Sequence, residues 1–169
     1  MPRVRRLATV ALLGLALALA ACGAGGDDKK TARTPLTTAQ YRAKLAAICR
    51  QAVGDARALG SPTGANSSAF ADYFERNARL ERARQRPFEA IVPPAQLNDE
   101  HDRLARLRAD ALDALDESVS AFRGGGDLRA VFERLRRRLN AVVRRSNRIV
   151  ARLKVPLCRA QLIPPAGSS

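Results

Sequence analysis

The chain has 169 residues, with 30 basic against 16 acidic side chains, a formal net charge of +14 and one histidine. No segment alternates polar and apolar residues as a β-strand does. These features exclude a histidine-rich metal site and an all-β fold, and the length leaves room for one helical domain.

The first 21 residues have the pattern of a secretory signal peptide. Arg3, Arg5 and Arg6 precede an uncharged apolar segment, residues 7–21, that ends in small residues. Its 15 residues are fewer than the ~20 that a membrane-spanning helix requires. A basic start, a short apolar centre and a small-residue end predict export from the cytoplasm.

The end of this segment, Leu19-Ala20-Ala21-Cys22, resembles the lipobox of bacterial lipoproteins. The resemblance implies cleavage before Cys22 and transfer of diacylglycerol to its sulfur. The alternative is an ordinary secreted protein that has a cysteine near its cleavage site. Under the first interpretation the protein is anchored by lipid to the extracytoplasmic face of the cell membrane, because two acyl chains hold a protein stably on a bilayer.

Residues 22–36 have the composition of a flexible linker. They contain glycines, Asp27-Asp28, Lys29-Lys30 and Pro35, with no apolar periodicity. As a flexible coil, this linker spans on the order of 20 Å. We therefore expect the folded domain to lie close to the membrane.

Residues 37–163 are predicted to form the folded domain, beginning with two helices. Thr37 and Gln40 form a capping box at the start of the first helix, which ends before the glycine- and proline-containing residues 60–64. Ser67 or Ser68 is expected to cap the second helix, which Pro87 kinks or ends.

Two further helices follow the turn at Pro93-Pro94. The third is predicted from about Ala95 to Arg123, and the fourth from an N-cap at Asp127 to about Leu153. Four amphipathic helices joined by short loops predict an all-α, antiparallel four-helix bundle. The last residues, 164–169, are expected to be a disordered tail.

The cysteines other than Cys22 are Cys49 and Cys158. In an exported chain two cysteines predict one disulfide, which here closes nearly the whole domain. For Cys158 to reach Cys49, the segment after Pro156 must fold back along the first helix. A metal site lacks further ligands, and a reactive thiol lacks an activating base.

Charge is distributed unevenly along the domain. Residues 95–126 have a net charge of −3, whereas residues 127–169 have eleven basic residues against two acidic ones. The candidate anion-binding residues on the fourth helix are Arg134, Arg137, Arg138, Arg144, Arg145, Arg148 and Arg152. Such a face attracts anionic lipid headgroups or wall polymers. The alternative is a solvated face that pairs partly with the acidic third helix. Nucleic acid is not an expected partner, because no aromatic residues interleave these arginines.

Some polar residues interrupt the apolar faces of the second and third helices: Asn77, Glu81, Arg84, His101 and Arg108. If the two helices fold back on each other, Glu81 approaches Arg108 and Arg84 approaches His101. Buried charges need partners, so these residues form either a ligand pocket or an interhelical hydrogen-bond network.

The sequence contains none of the common hydrolase, metalloprotease, redox or phosphate-loop motifs. The pattern of lipobox, linker and helical domain with two cysteines resembles small lipoproteins of the actinobacterial type, and this likeness implies no activity. We therefore expect a non-catalytic binding or interaction module at the cell envelope, without a cofactor or a metal. It would contact the membrane through its lipid anchor and bind a ligand or an envelope protein. The alternatives are a protein that docks anionic lipid or wall polymer through its surface charge and, more distantly, an envelope hydrolase.

Overall fold

The computed structural model of the chain describes residues 34–164, in which every regular element is helical. Four α-helices and two 3₁₀ helices follow in the order α1 (Thr38–Leu59), α2 (Ser67–Glu89), η1 (Ala95–Leu97), α3 (Asn98–Arg123), α4 (Leu128–Leu153) and η2 (Pro156–Cys158). The prediction of four helices is confirmed. The predicted signal peptide, Cys22 and nearly all of the linker, like residues 165–169, lie outside the described residues.

Side-chain caps set where α1 and α4 begin. The Gln40 N–H donates to Thr37 Oγ1 at 3.2 Å, and the Thr37 N–H donates to Gln40 Oε1 at 3.0 Å. At α4, the Ala130 N–H donates to Asp127 Oδ1 at 2.7 Å. Each cap satisfies backbone donors that have no partner within the helix, and both predicted caps are confirmed.

The boundaries of α2 and α3 differ from the prediction. Asn66, rather than Ser67 or Ser68, caps α2, because its extended backbone lets Oδ1 accept from the Ala69 N–H at 2.9 Å. Pro87 does not end α2, which continues to Glu89. The third helix begins at Asn98, since the three residues after Pro94 form η1 instead.

The core consists of two apolar clusters. One draws on all four α-helices and also includes Val155 beyond α4. The other comes from α2, α3 and α4 only and includes the stacked rings of Phe74 and Phe122. Helix α2 packs against α1 and α3, and α3 packs against α4. In residues 34–164, no helix has the length and apolar character needed to span a bilayer.

The chain turns sharply after α4. Lys154 has a left-handed backbone with φ 58°, and the N–H groups of Lys154 and Val155 donate to the carbonyls of Ala151 and Val150. This is the hydrogen-bond pattern of the Schellman motif, which ends a helix and reverses the chain. The turn brings η2 against both α1 and α4.

Cys49 and Cys158 form the predicted disulfide, with Cα atoms 5.2 Å apart. Beyond Cys158, however, the chain follows α4 rather than α1. Asn147 exchanges two hydrogen bonds with the backbone of Ala160, and Asn140 does the same with Ile163. The amide side chain is suited to this role, because it offers a donor and an acceptor side by side to the C=O and the N–H of one residue.

Candidate functional site

The first candidate site, which we call the polar seam, joins α1, α2 and α3 through Asp55, Glu81, Arg84, Gln85 and Arg108. Arg84 is its most buried residue, with 3 % of its surface exposed. Its Nη1 lies 2.5 Å from Asp55 Oδ2, and its Nη2 lies 2.5 Å from Glu81 Oε1. A guanidinium removed from water requires such charged partners, and Arg84 has two.

Arg108 reaches the polar seam from α3. Its Nη2 lies 3.4 Å from Glu81 Oε2, and its Nε donates to Gln85 Oε1 at 3.3 Å. Its guanidinium carbon also lies 5.0 Å from the centre of the Phe88 ring. Burial lowers the pKa of Arg108, and the negative charge of Glu81 opposes this effect. The predicted approach of Glu81 to Arg108 is therefore present.

His101 has different neighbours from those predicted. Its ring stacks on Phe88 with centroids 4.5 Å apart, and its Nδ1 lies 3.2 Å from the Tyr41 hydroxyl oxygen. Burial lowers the pKa of His101 and, with the charge of Glu100, raises that of Tyr41 to about 12. Among the described hydrogen bonds, none joins His101 to Arg84, whose partners are carboxylates on α1 and α2.

Asn77 is half-buried and takes no part in the hydrogen bonds of the polar seam within residues 34–164. The cations of the seam, Arg84 and Arg108, both face carboxylates that are already in place. This arrangement favours the interhelical network over a ligand pocket, because both guanidinium groups already pair with carboxylates. Within residues 34–164, Arg84 Nε is nevertheless buried without a hydrogen-bond partner.

The second candidate site, which we call the arginine groove, lies between α3 and α4. It has a volume of about 570 Å³ and is lined by Arg103, Arg106, Leu107, Ala109, Asp110, Arg145, Arg148, Ile149 and Arg152. Buried Leu107 and Ile149 provide an apolar surface within it. Five guanidinium groups and one carboxylate give the groove a strong positive charge.

Most of these arginines form no ion pair within residues 34–164. Arg152 Nε lies 3.5 Å from Glu100 Oε1. In the part of the chain that the structure describes, no ion pair includes Arg103, Arg106, Arg145 or Arg148. Guanidinium groups bind phosphate and carboxylate oxygens through paired N–H donors, so the groove is chemically suited to an anion.

The structure divides the predicted anion-binding face of α4. Arg145, Arg148 and Arg152 line the groove, whereas Arg138 donates to Glu117 of α3. Arg134, Arg137 and Arg144 are exposed and do not line it.

The sequence analysis missed the contribution of α3 to the groove. Arg103 and Arg106 belong to a helix that has a net negative charge, so they were not recognised as part of a basic surface. Their spacing of three residues, which places both on one face of a helix, was the available signal.

Residues 34–164 contain no group of three or more histidine, cysteine, aspartate or glutamate side chains arranged to hold a metal ion. In comparisons with known proteins, no family, curated sequence or solved structure matches this chain.

Proposed function

We propose that the protein is a lipid-anchored lipoprotein of the extracytoplasmic membrane face, and that it binds an anionic ligand in the arginine groove without catalysing a reaction. The observation that carries the proposal is a set of four arginines that line one groove and form no ion pair within residues 34–164. A guanidinium cluster of this kind binds phosphate or carboxylate groups through both charge and directed hydrogen bonds.

We propose further that the four helices form an antiparallel bundle. The order of contacts between α2 and α3 supports this arrangement. Glu75, early in α2, pairs with Arg123 at the end of α3, and Phe88, late in α2, stacks on His101 near the start of α3. Contacts that run in opposite directions along two helices are those of an αα-hairpin.

Anchoring by lipid rests on the lipobox at residues 19–22. We expect Cys22→Ala to release the protein from the membrane or to leave its precursor uncleaved. Metabolic labelling with a palmitate analogue tests this directly, since the wild type should be labelled and the variant should not. Equal labelling of both proteins would contradict the proposal.

Anion binding is tested with pyrophosphate as the probe, by calorimetry on the full mature protein in a neutral detergent. We expect Arg145→Gln/Arg148→Gln to weaken binding at least about tenfold, because charge-assisted hydrogen bonds contribute about 1.5–3 kcal/mol each. The matched control is Arg137→Gln/Arg144→Gln, which removes the same charge from α4 outside the groove. An equal loss in both variants would instead support docking through diffuse surface charge.

A further inference from the structure

We infer that the arginine groove faces the membrane that holds the anchor, and that its ligand is the phosphate of anionic phospholipid headgroups in that membrane. This inference rests on the proposed function, since it names the ligand of the same groove.

The position of the groove within the domain is the first support. It is built from residues 103–110, in the first half of α3, and residues 145–152, near the end of α4. Leu36, where the linker ends, packs against the same apolar cluster as Leu107 and Ile149. The Leu36 N–H also donates to the Val92 carbonyl at 3.0 Å, which fixes the point where the chain enters the domain. Leu36 and the groove therefore belong to the same half of the domain.

The length of the linker is the second support. Leu36 lies fourteen positions after Cys22, and fourteen residues of random coil would span on the order of 20 Å. An α-helix of 26 residues, such as α3 or α4, is about 40 Å long. The half of the domain that holds the groove consequently stays close to the bilayer surface, where tethering makes the local concentration of headgroups high.

The chemistry of the groove is the third support. Arg103 and Arg106 of α3 and Arg145 and Arg148 of α4 bring guanidinium groups to one site that also exposes apolar surface. A phospholipid presents a phosphate next to apolar glycerol and acyl groups, which matches this combination. A polyanionic wall polymer presents phosphate groups without this adjacent apolar surface.

The chain contains no tryptophan, so an introduced tryptophan can report on the groove without background. Ala109→Trp places one at an exposed position in the groove, and Ala130→Trp places a control at an exposed position near the start of α4. The full lipidated protein is reconstituted in phosphatidylcholine vesicles that contain lipids with spin-labelled headgroups, with or without phosphatidylglycerol. Quenching of tryptophan fluorescence then measures the proximity of each position to the headgroups.

We expect phosphatidylglycerol to increase quenching in Ala109→Trp and not in Ala130→Trp. Adding Arg145→Gln/Arg148→Gln should abolish the increase, whereas adding Arg137→Gln/Arg144→Gln should preserve most of it. Equal quenching with and without phosphatidylglycerol would overturn the inference, as would an equal increase at both positions. So would loss of the increase when soluble poly(glycerol phosphate) is added at a phosphate concentration far below that of the phosphatidylglycerol, because a wall polymer would then be the preferred ligand.

The outcomes also separate this inference from the proposed function. If the groove binds pyrophosphate but Ala109→Trp shows no dependence on phosphatidylglycerol, the anion site stands and the headgroup inference fails. If pyrophosphate does not bind either, both fail.

Discussion

A guanidinium group that is withdrawn from water must keep a carboxylate beside it, and Arg84 keeps two, Asp55 on α1 and Glu81 on its own helix. The two carboxylates are only partly buried, with about 27 % and 30 % of their side chains exposed. Arg84 is therefore the most strongly buried of the three, and either carboxylate alone can still balance part of its charge.

We predict that Asp55→Ala and Glu81→Ala are more destabilising together than the sum of their separate effects. Either change alone leaves Arg84 one carboxylate partner. Both together leave its buried charge without a carboxylate, which lowers the free energy of unfolding by about 3–5 kcal/mol. Adding Arg84→Met to the double variant should restore much of the loss. Urea unfolding of the set provides the double-mutant cycle.

Arg108→Leu is the control for this cycle. Its coupling to Glu81 should stay below about 1 kcal/mol, because both side chains are partly exposed and their closest atoms are 3.4 Å apart. Additive effects of Asp55→Ala and Glu81→Ala, with no recovery from Arg84→Met, would mean that Arg84 reaches water.

His101 makes the stability of the fold depend on pH. Burial lowers its pKa below the ordinary value of 6.5, so the unfolded chain takes up a proton at a higher pH than the folded protein does. The stabilisation is fully present above about pH 6.5 and is lost as the pH falls from there to the folded-state pKa.

We predict that the wild type loses more stability than His101→Gln when the pH falls from about 8 to about 5. Comparison of urea midpoints for the two proteins isolates this histidine from the carboxylates. As the chain has one histidine, a single set of ring signals in NMR gives its pKa directly. A folded-state pKa above 6.5 would reverse the predicted slope.

At the scale of elements, local signals set helix starts, whereas helix partners depend on packing that is not local. The caps at Thr37 and Asp127 could be predicted because each involves residues only three positions apart. The cap of α2 was misplaced because Asn66, Ser67 and Ser68 are all good capping residues, and only the backbone geometry selects the first.

The residues around Arg84 and in the arginine groove show which contacts between helices could not be predicted from the sequence. Asp55 could not be predicted as a partner of Arg84, because the apolar periodicity of α1 and α2 does not determine how the two helices pack on each other. The groove itself was not predicted, although three arginines that line it, Arg145, Arg148 and Arg152, belong to the predicted anion-binding face of α4. The apolar faces thus predicted the helices and the Glu81–Arg108 contact. They did not predict that Asp55 of α1 pairs with Arg84, or that Arg103 and Arg106 of α3 line the groove.

The segment after η2 is an element without regular structure, held by two asparagines seven residues apart on α4. We predict that Asn147→Ala accelerates hydrogen exchange at the Ala160 amide, and that Asn140→Ala does so at Ile163. Each change removes two hydrogen bonds of about 1 kcal/mol, so exchange should rise on the order of tenfold to a hundredfold.

Each asparagine variant serves as the control for the other, because the disulfide keeps Cys158 bonded to Cys49 of α1 in both. Fast exchange at Ala160 and Ile163 in the wild type would contradict the hydrogen bonds described. Simultaneous acceleration at both amides in either variant would show that the segment detaches as a unit.

At the scale of the whole molecule, the disulfide joins the only two described cysteines across a sequence separation of 109. We predict that Cys49→Ser/Cys158→Ser lowers the free energy of unfolding by about 2–5 kcal/mol, mainly because the unfolded chain gains freedom. Urea unfolding measures the loss, and mass spectrometry of the envelope protein should find both cysteines oxidised. Unchanged stability would contradict the prediction.

The disulfide closes residues 49–158 into a covalent ring, and this ring determines how the protein responds to a protease. The exposed connection between α1 and α2, residues 60–66, lies inside the ring, so a single cut there leaves two fragments that the disulfide still joins. If Cys22 bears the lipid anchor as proposed, such a nicked domain stays on the cell surface. A single cut sheds the domain only when it falls between Cys22 and Cys49.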